Sequence, residues 1–174
     1  KRECMKELRF VQLQKNNAEH FELFKGLMIP YIKELAEHRP LDSITDDKIL
    51  QITQGMLNMQ GPCDRHLELC YDGDTLIGFH HAKVDHEGHK GYIKPGYGYI
   101  MEFYVKPEYR RKGYGRAMFH RVEGLFADHQ TKRMYLTADP VTGEPFWRAM
   151  GFVGTDEISP ENSLTISEKD VTAV

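Results

Sequence analysis

The chain has 174 residues, 40% of them hydrophobic and 28% charged, which is enough for a sizeable core and is read as a single domain over residues 1–174. A formal net charge of −3 gives no global pull toward nucleic acid or an anionic membrane, and no apolar run approaches a membrane span. The charged start lacks an apolar h-region, so no signal peptide is expected, and Cys4, Cys63 and Cys70 at no metal-ligand spacing point to reduced thiols in the cytoplasm.

Leu8 to Leu13 alternates as a first strand, with Leu8 and Phe10 on one face. Ala18 to Ile29 carries the helical stripe Phe21, Phe24, Leu27 and Met28, which Pro30 breaks or kinks; Tyr31 to His38 reads as a second short helix ended by Pro40. Asp46 to Met59 is a third helix, capped by Thr45 or Asp46, with Ile49, Ile52, Met56 and Leu57 inward. Phe21, Phe24, Met28, Met56 and Met59 are assigned to the core. His66–Tyr71 and Thr75–Val84 form a hairpin around the turn signal Asp72-Gly73-Asp74, and a loop rich in Gly, His and Tyr runs from Asp85 to Gly98.

Tyr99 to Val105 reads as a buried strand. The helix after it has Met118, Val122, Leu125 and Phe126 at three- and four-residue spacing. A strand at Arg133–Thr137, a helix at Glu144–Met150 and an antiparallel pair, Phe152–Ile158 with Ser163–Ser167, complete the order β-α-α-α-β-β-β-α-β-α-β-β. Three consecutive strands followed by a βαβ unit predict a mixed α/β (α+β) fold, one sheet with helices on both faces.

Between strand and helix stands Arg110-Arg111-Lys112-Gly113-Tyr114-Gly115-Arg116. Glycine at a helix start costs helix propensity, but it lets the backbone approach an anion, and the first-turn N–H groups and the helix dipole then favour phosphate. The spacing is neither the dinucleotide-binding nor the P-loop pattern.

Val105-Lys106-Pro107-Glu108-Tyr109-Arg110-Arg111-Lys112-Gly113-Tyr114-Gly115 resembles the signature of the GNAT superfamily of acyl-CoA N-acyltransferases, Arg/Gln-x-x-Gly-x-Gly/Ala after a strand ending in Val-x-Pro. Phe146-Trp147-Arg148-Ala149-Met150-Gly151-Phe152 resembles that family's later motif, an aromatic pair followed by x-x-x-Gly-Phe. The resemblance implies a mixed, mostly antiparallel central sheet and an N-acetyltransferase acting on a primary amine with acetyl-CoA as co-substrate, as a monomer or homodimer. It implies that Arg110, Arg111, Lys112, Gly113, Tyr114, Gly115 and Arg116 hold the coenzyme A pyrophosphate. Phe103, Tyr104 and Val105 then pair with the pantetheine arm, and the Val105 position offers an N–H to the thioester oxygen. Trp147 is also placed at the coenzyme. It stands where the family often has a Tyr that protonates the leaving thiolate, which indole cannot do. Pro140 stands where relatives often carry an Asn that contacts the pantetheine.

Glu102 is the candidate general base. A carboxylate inside an otherwise apolar strand is costly, and burial raises its pKa toward a useful range. Its alternative role is only to bind the substrate's cation. Tyr31, at the Pro30 break, is a candidate acceptor contact, and Tyr99, Tyr104 and Tyr135 are substitute acids. No metal is expected. His80-His81 project to opposite faces of a strand, His86-x-x-His89 has no enforced ligand spacing, and all four are read as solvent-facing or substrate-lining. The alternative functions are a GNAT-fold acyl-CoA binder without turnover and a nucleic-acid binder using the basic turn, which the overall charge disfavours.

Overall fold

Seven strands form one sheet in the order β1-β2-β3-β4-β5-β7-β6 in the computed structural model, which describes residues 7–38 and 44–172. The elements are β1 (Leu8–Gln12), α1 (Ala18–Glu37), α2 (Asp46–Asn58), β2 (Arg65–Asp72), β3 (Thr75–Val84), β4 (Gly98–Val105), a 3-10 turn (Pro107–Tyr109), α3 (Tyr114–Asp128), β5 (Arg133–Thr137), α4 (Gly143–Ala149), β6 (Val153–Ile158) and β7 (Thr165–Asp170). Every pairing is antiparallel except β4 with β5. The expected mixed, mostly antiparallel sheet is therefore present. The closing hairpin folds so that β7, not β6, lies against β5. Cys4 and the Pro40 helix stop lie outside the described residues.

Two helices, not three, precede the hairpin. The segments on either side of Pro30 form the single helix α1, and its buried residues Phe24, Leu27, Met28, Tyr31 and Ile32 make one stripe that runs past the proline. Loss of one backbone bond at a mid-helix proline costs about 3 kcal/mol. Burying five large apolar side chains, at about 1.5–3 kcal/mol each, outweighs it. In α2, capped by Thr45, the inward face is Ile49, Thr53, Met56 and Leu57. Ile52 and Met59, expected inside, are 37% and 47% exposed. The Thr53 hydroxyl is accommodated in their place because it donates to the Ile49 carbonyl at 2.8 Å.

The sheet separates two cores. On one face α1 and α2 pack on Leu67, Leu69, Phe79 and Tyr104. On the other, α3 and α4 pack on Ala82, Ile100, Met134 and Leu136, with Phe119, Phe126, Trp147 and Phe152 between the layers. Among the described residues no helix is long and apolar enough to cross a membrane.

Candidate active site

An irregularity in β4 decides which way Glu102 points. Glu102 pairs with His81 but Ile100 pairs with Ala82, so Met101 is an extra residue in the ladder. Ile100 and Phe103 consequently pack in the same core under α3 and α4, although residues three apart in a regular strand face opposite ways. The bulge turns Glu102 to the α1 face, where the Tyr31 hydroxyl donates a hydrogen bond to its Oε2. Tyr31 is 8% exposed and packs its ring 5.2 Å from that of Tyr104 and 5.5 Å from that of Phe79. Two candidate substrate contacts 71 residues apart in the chain are thus brought together.

Beside them the sheet comes apart. The parallel β4–β5 ladder pairs Gly98 with Met134 and Tyr99 with Tyr135 and then stops, while β5 continues to pair with β7 through Thr137. Beyond Tyr99 the β4–β5 pairing does not continue, which opens the β5 side of β4. A groove of about 620 Å³, lined among others by Pro30, Lys33, Glu34, Tyr104, Arg110 and Thr142, lies between α1 and the end of β4.

The basic turn follows directly. Gly113 is the N-cap of α3 with φ 89°, and Arg111 also takes a positive φ of 61°. The first-turn N–H groups of Tyr114, Gly115 and Arg116 have no intrahelical acceptor. Gly115 has a second cause: a Cβ there would come within 3.1 Å of the Phe146 ring, so the glycine lets α4 approach α3. Arg110 turns inward, donating from Nε to the Val105 carbonyl at 2.8 Å and from Nη2 to Glu34 at 2.9 Å. Tyr114 donates to Asp72 at 2.5 Å, the main cause of its raised pKa. Arg111, Lys112 and Arg116 are exposed.

Phe103 and Val105 face the α3 side, where Phe103 lies 4.9 Å from Trp147. Trp147 is 8% exposed, with Phe119, Phe146 and Phe152 rings at 5.8, 4.8 and 5.4 Å. Of the three tyrosines weighed as acids, the Tyr135 hydroxyl donates a hydrogen bond to Asp85 at 2.6 Å; burial and this bond raise its pKa. Tyr99 stacks on Tyr135 at 4.4 Å, and burial raises its pKa as well. Tyr104, raised by burial, is the one that lines the groove.

His80 and His81 are both fully buried, which corrects the solvent-facing reading. They project to opposite faces, as expected of neighbours in a strand. His80 pairs with Glu68 at 2.7 Å under α3. His81 lies on the Glu102 face, 3.4 Å from the Arg65 guanidinium. His86 bonds to Asp64 and packs edge-on against His89 at 4.7 Å. Sequence reasoning missed Asp85, the anchor of the loop. Burial alone would raise its pKa, but the Tyr135 hydroxyl and the Ile93 and Lys94 N–H groups donate to it and hold it below the usual range. The signal was available, since an aspartate ending an apolar strand and opening a glycine-rich loop is a natural loop organiser.

A carboxylate beside a phenol, a strand that parts from its neighbour and a helix N-terminus follow one another along β4 and the turn after it, an arrangement that can hold an extended ligand with an anionic end. The sequence model of the acetyltransferase (GNAT) family matches residues 30–152. A curated relative, aminoglycoside N(6')-acetyltransferase type 1 of Stenotrophomonas maltophilia, is 25% identical over 115 residues, 65% of this chain and 73% of the relative. The fold matches an acetyltransferase from Thermus thermophilus with TM-score 0.69 at 16% identity, over 95% of this chain and 98% of that one. It also matches the PaiA N-acetyltransferase from Thermoplasma acidophilum in complex with coenzyme A, with TM-score 0.64 at 20% identity, over 94% and 99%. With its glycine turn, its interrupted β4–β5 ladder and a family match that spans both, the chain belongs to the GNAT family of acetyltransferases.

Proposed function

We propose that the protein is an N-acetyltransferase that moves an acetyl group from acetyl-CoA directly to a primary amine within a ternary complex. The observation that carries this reading is the Tyr31–Glu102 contact beside the opened β5 side of β4. The pantetheine arm pairs with Phe103 to Val105 as an added strand would, and the pyrophosphate meets the N–H groups of the Arg110–Arg116 turn. Coenzyme A in the Thermoplasma relative supports this class of donor, and the name of the Stenotrophomonas relative supports a small-molecule amine as acceptor.

Glu102, directly or through a water, accepts a proton from the ammonium group. The free amine attacks the thioester carbon, and the N–H at Val105 faces the oxyanion that forms. Collapse breaks the C–S bond and releases the thiolate, whose parent thiol has a pKa of about 8.5 and which leaves without strong acid assistance. Tyr104, which lines the groove, protonates it and recovers its proton from the nitrogen, which sheds its second proton as the amide forms. Trp147, enclosed by four rings, contributes shape to the coenzyme side and no proton.

The absence of an acid at position 147 favours a second reading, an acyl-CoA binder without turnover. Release of free CoA from acetyl-CoA, measured against a panel of aminoglycosides, polyamines, amino acids, peptide α-amines and lysine-bearing proteins, separates the two. Amine-dependent release establishes the enzyme. Tight acetyl-CoA binding with no release above the hydrolytic background across the panel leaves the binder.

A further inference from the structure

We propose that the acceptor amine carries a carboxylate a few bonds away, and that Arg65 binds this carboxylate while Glu102 receives the amine. The inference rests on the reading of Glu102 and Tyr31 given above and names the substrate class of that site.

Arg65 opens β2 on the same sheet face as Glu102 and is 9% exposed. A guanidinium that deep in a protein ordinarily meets a carboxylate, because an unpaired interior charge is costly. Arg65 has no ion pair among the described residues. Its side-chain contacts are the His81 Nε2 at 3.4 Å and the Met101 sulfur at 4.0 Å. Asp64 and Asp85 stabilise its charge only from beyond ion-pair distance, and each is engaged elsewhere. Asp64 accepts from His86, and Asp85 accepts from Tyr135 and lies 3.5 Å from the Lys83 ammonium.

His81 is the nearest polar partner of the guanidinium. Burial pushes its pKa down to about 3, so the ring is neutral. With Nε2 facing the Arg65 N–H, the ring hydrogen belongs on Nδ1, and that atom is buried without a hydrogen-bond partner. His81 is the cross-strand partner of Glu102, and Met101, which touches the guanidinium, is the neighbour of Glu102 in the chain. Strands lie about 4.8 Å apart, and the long arginine side chain reaches back over β3, so the cation stands within a few ångströms of the β4 bulge. A short zwitterion spans from Glu102 to Arg65, its amine at one end and its carboxylate at the other. The planar guanidinium suits a carboxylate, which it binds through two parallel hydrogen bonds.

The test compares matched pairs: β-alanine with propylamine and 4-aminobutyrate with butylamine. Each is assayed by CoA release and by calorimetric titration into protein saturated with CoA. Wild-type protein should favour the amino-carboxylate by about 30-fold or more, the scale expected when a buried charge pair loses one partner. Arg65→Met should bring the two members of a pair near parity, acting through KM, and Arg65→Lys should recover part of the preference. If no amine is acetylated, the proposed function fails, yet calorimetry still decides this inference: selective amino-carboxylate binding lost in Arg65→Met supports it. No wild-type preference in either assay, or an equal loss for both members of a pair, overturns it. If Arg65→Met fails to fold, Arg65→Lys carries the comparison, and unchanged selectivity in it overturns the proposal.

Discussion

His80 and His81 are adjacent in the chain, equally buried, and surrounded in opposite ways. Under α3, His80 and Arg121 converge on Glu68, with Arg121 donating from Nε at 3.1 Å and from Nη2 at 2.8 Å. That cluster closes on its carboxylate: Glu68, the bidentate Arg121 guanidinium and the His80 imidazole stitch α3 to β2 and β3. On the other face, the Arg65 guanidinium meets the His81 Nε2 and no carboxylate at ion-pair distance among the described residues, while Nδ1 of His80 and of His81 alike is buried without a hydrogen-bond partner. Burial and charge are common to both. What separates them is the neighbouring cation: Arg121 is paired with a carboxylate, whereas Arg65 is in no ion pair among the described residues, so the cluster closed on its carboxylate reads as scaffold and the open one as a site.

The sharpest way to break this contrast is on the open side. Glu102→Gln should lower kcat by about 10²–10⁴-fold, with partial recovery at high pH, where more of the amine is already deprotonated. Acetyl-CoA affinity should hold. Steady-state kinetics across pH decides: a raised KM with kcat intact would reduce Glu102 to a grip on the cation.

On the closed side, Glu68→Ala strips Arg121 and His80 of their shared acceptor. Because the Arg121 side chain is 40% exposed and can turn to water, losing these hydrogen bonds to a charged group costs about 1.5–3 kcal/mol of folding stability, read by denaturant unfolding, while the folded fraction keeps its turnover. A loss of turnover without a loss of stability would show that the scaffold reading is wrong.

Acid titrates the same cluster. Burial by itself would raise the pKa of Glu68, but the hydrogen bonds from His80 and Arg121 hold it at about 2, against an ordinary 4.5. Because the folded-state pKa is the lower one, the stabilisation is fully present above pH 4.5 and disappears as pH falls toward 2, about 3 kcal/mol in all. Unfolding measured between these limits should be much flatter in Glu68→Gln.

The smallest effect is expected at Trp147, which sits with the scaffold despite its place in the motif. Trp147→Phe should cost about 1 kcal/mol of stability or a modest loss of coenzyme affinity from reduced aromatic contact. Saturated turnover should change little. A large drop in kcat would make the indole N–H a participant.

The architecture was legible in the sequence wherever periodicity and turn chemistry agree. Asp72-Gly73-Asp74 marked the hairpin and Gly113 marked the start of α3. Pro30 misled as a helix break because a local rule competed with a longer pattern: Phe24, Leu27, Met28, Tyr31 and Ile32 keep helical spacing straight through it. The site was legible by residue type and hidden in its geometry. Glu102 stood out as a charge in an apolar strand, but the bulge at Met101 that aims it at Tyr31 has no glycine or turn residue to announce it. Arg65 and His81, separated by the whole hairpin, gave no local sign of meeting, because cross-strand contacts depend on register.

Pro30 carries a further consequence. Lacking an N–H, it cannot bond to the carbonyl of Gly26, one turn earlier, and both residues line the groove along α1. The helix therefore gives up one rung of its own ladder and offers an acceptor at the groove wall, within the path assigned to the amide-bearing pantetheine arm. As a hypothesis, that carbonyl receives a pantetheine N–H. Pro30→Ala, which restores the rung, should then raise the melting temperature while weakening acetyl-CoA binding a few-fold in calorimetry, and unchanged binding would sink the idea. On this view the kink-forming residue is a hydrogen-bonding vacancy held open by covalent structure, since no side-chain rearrangement can fill it.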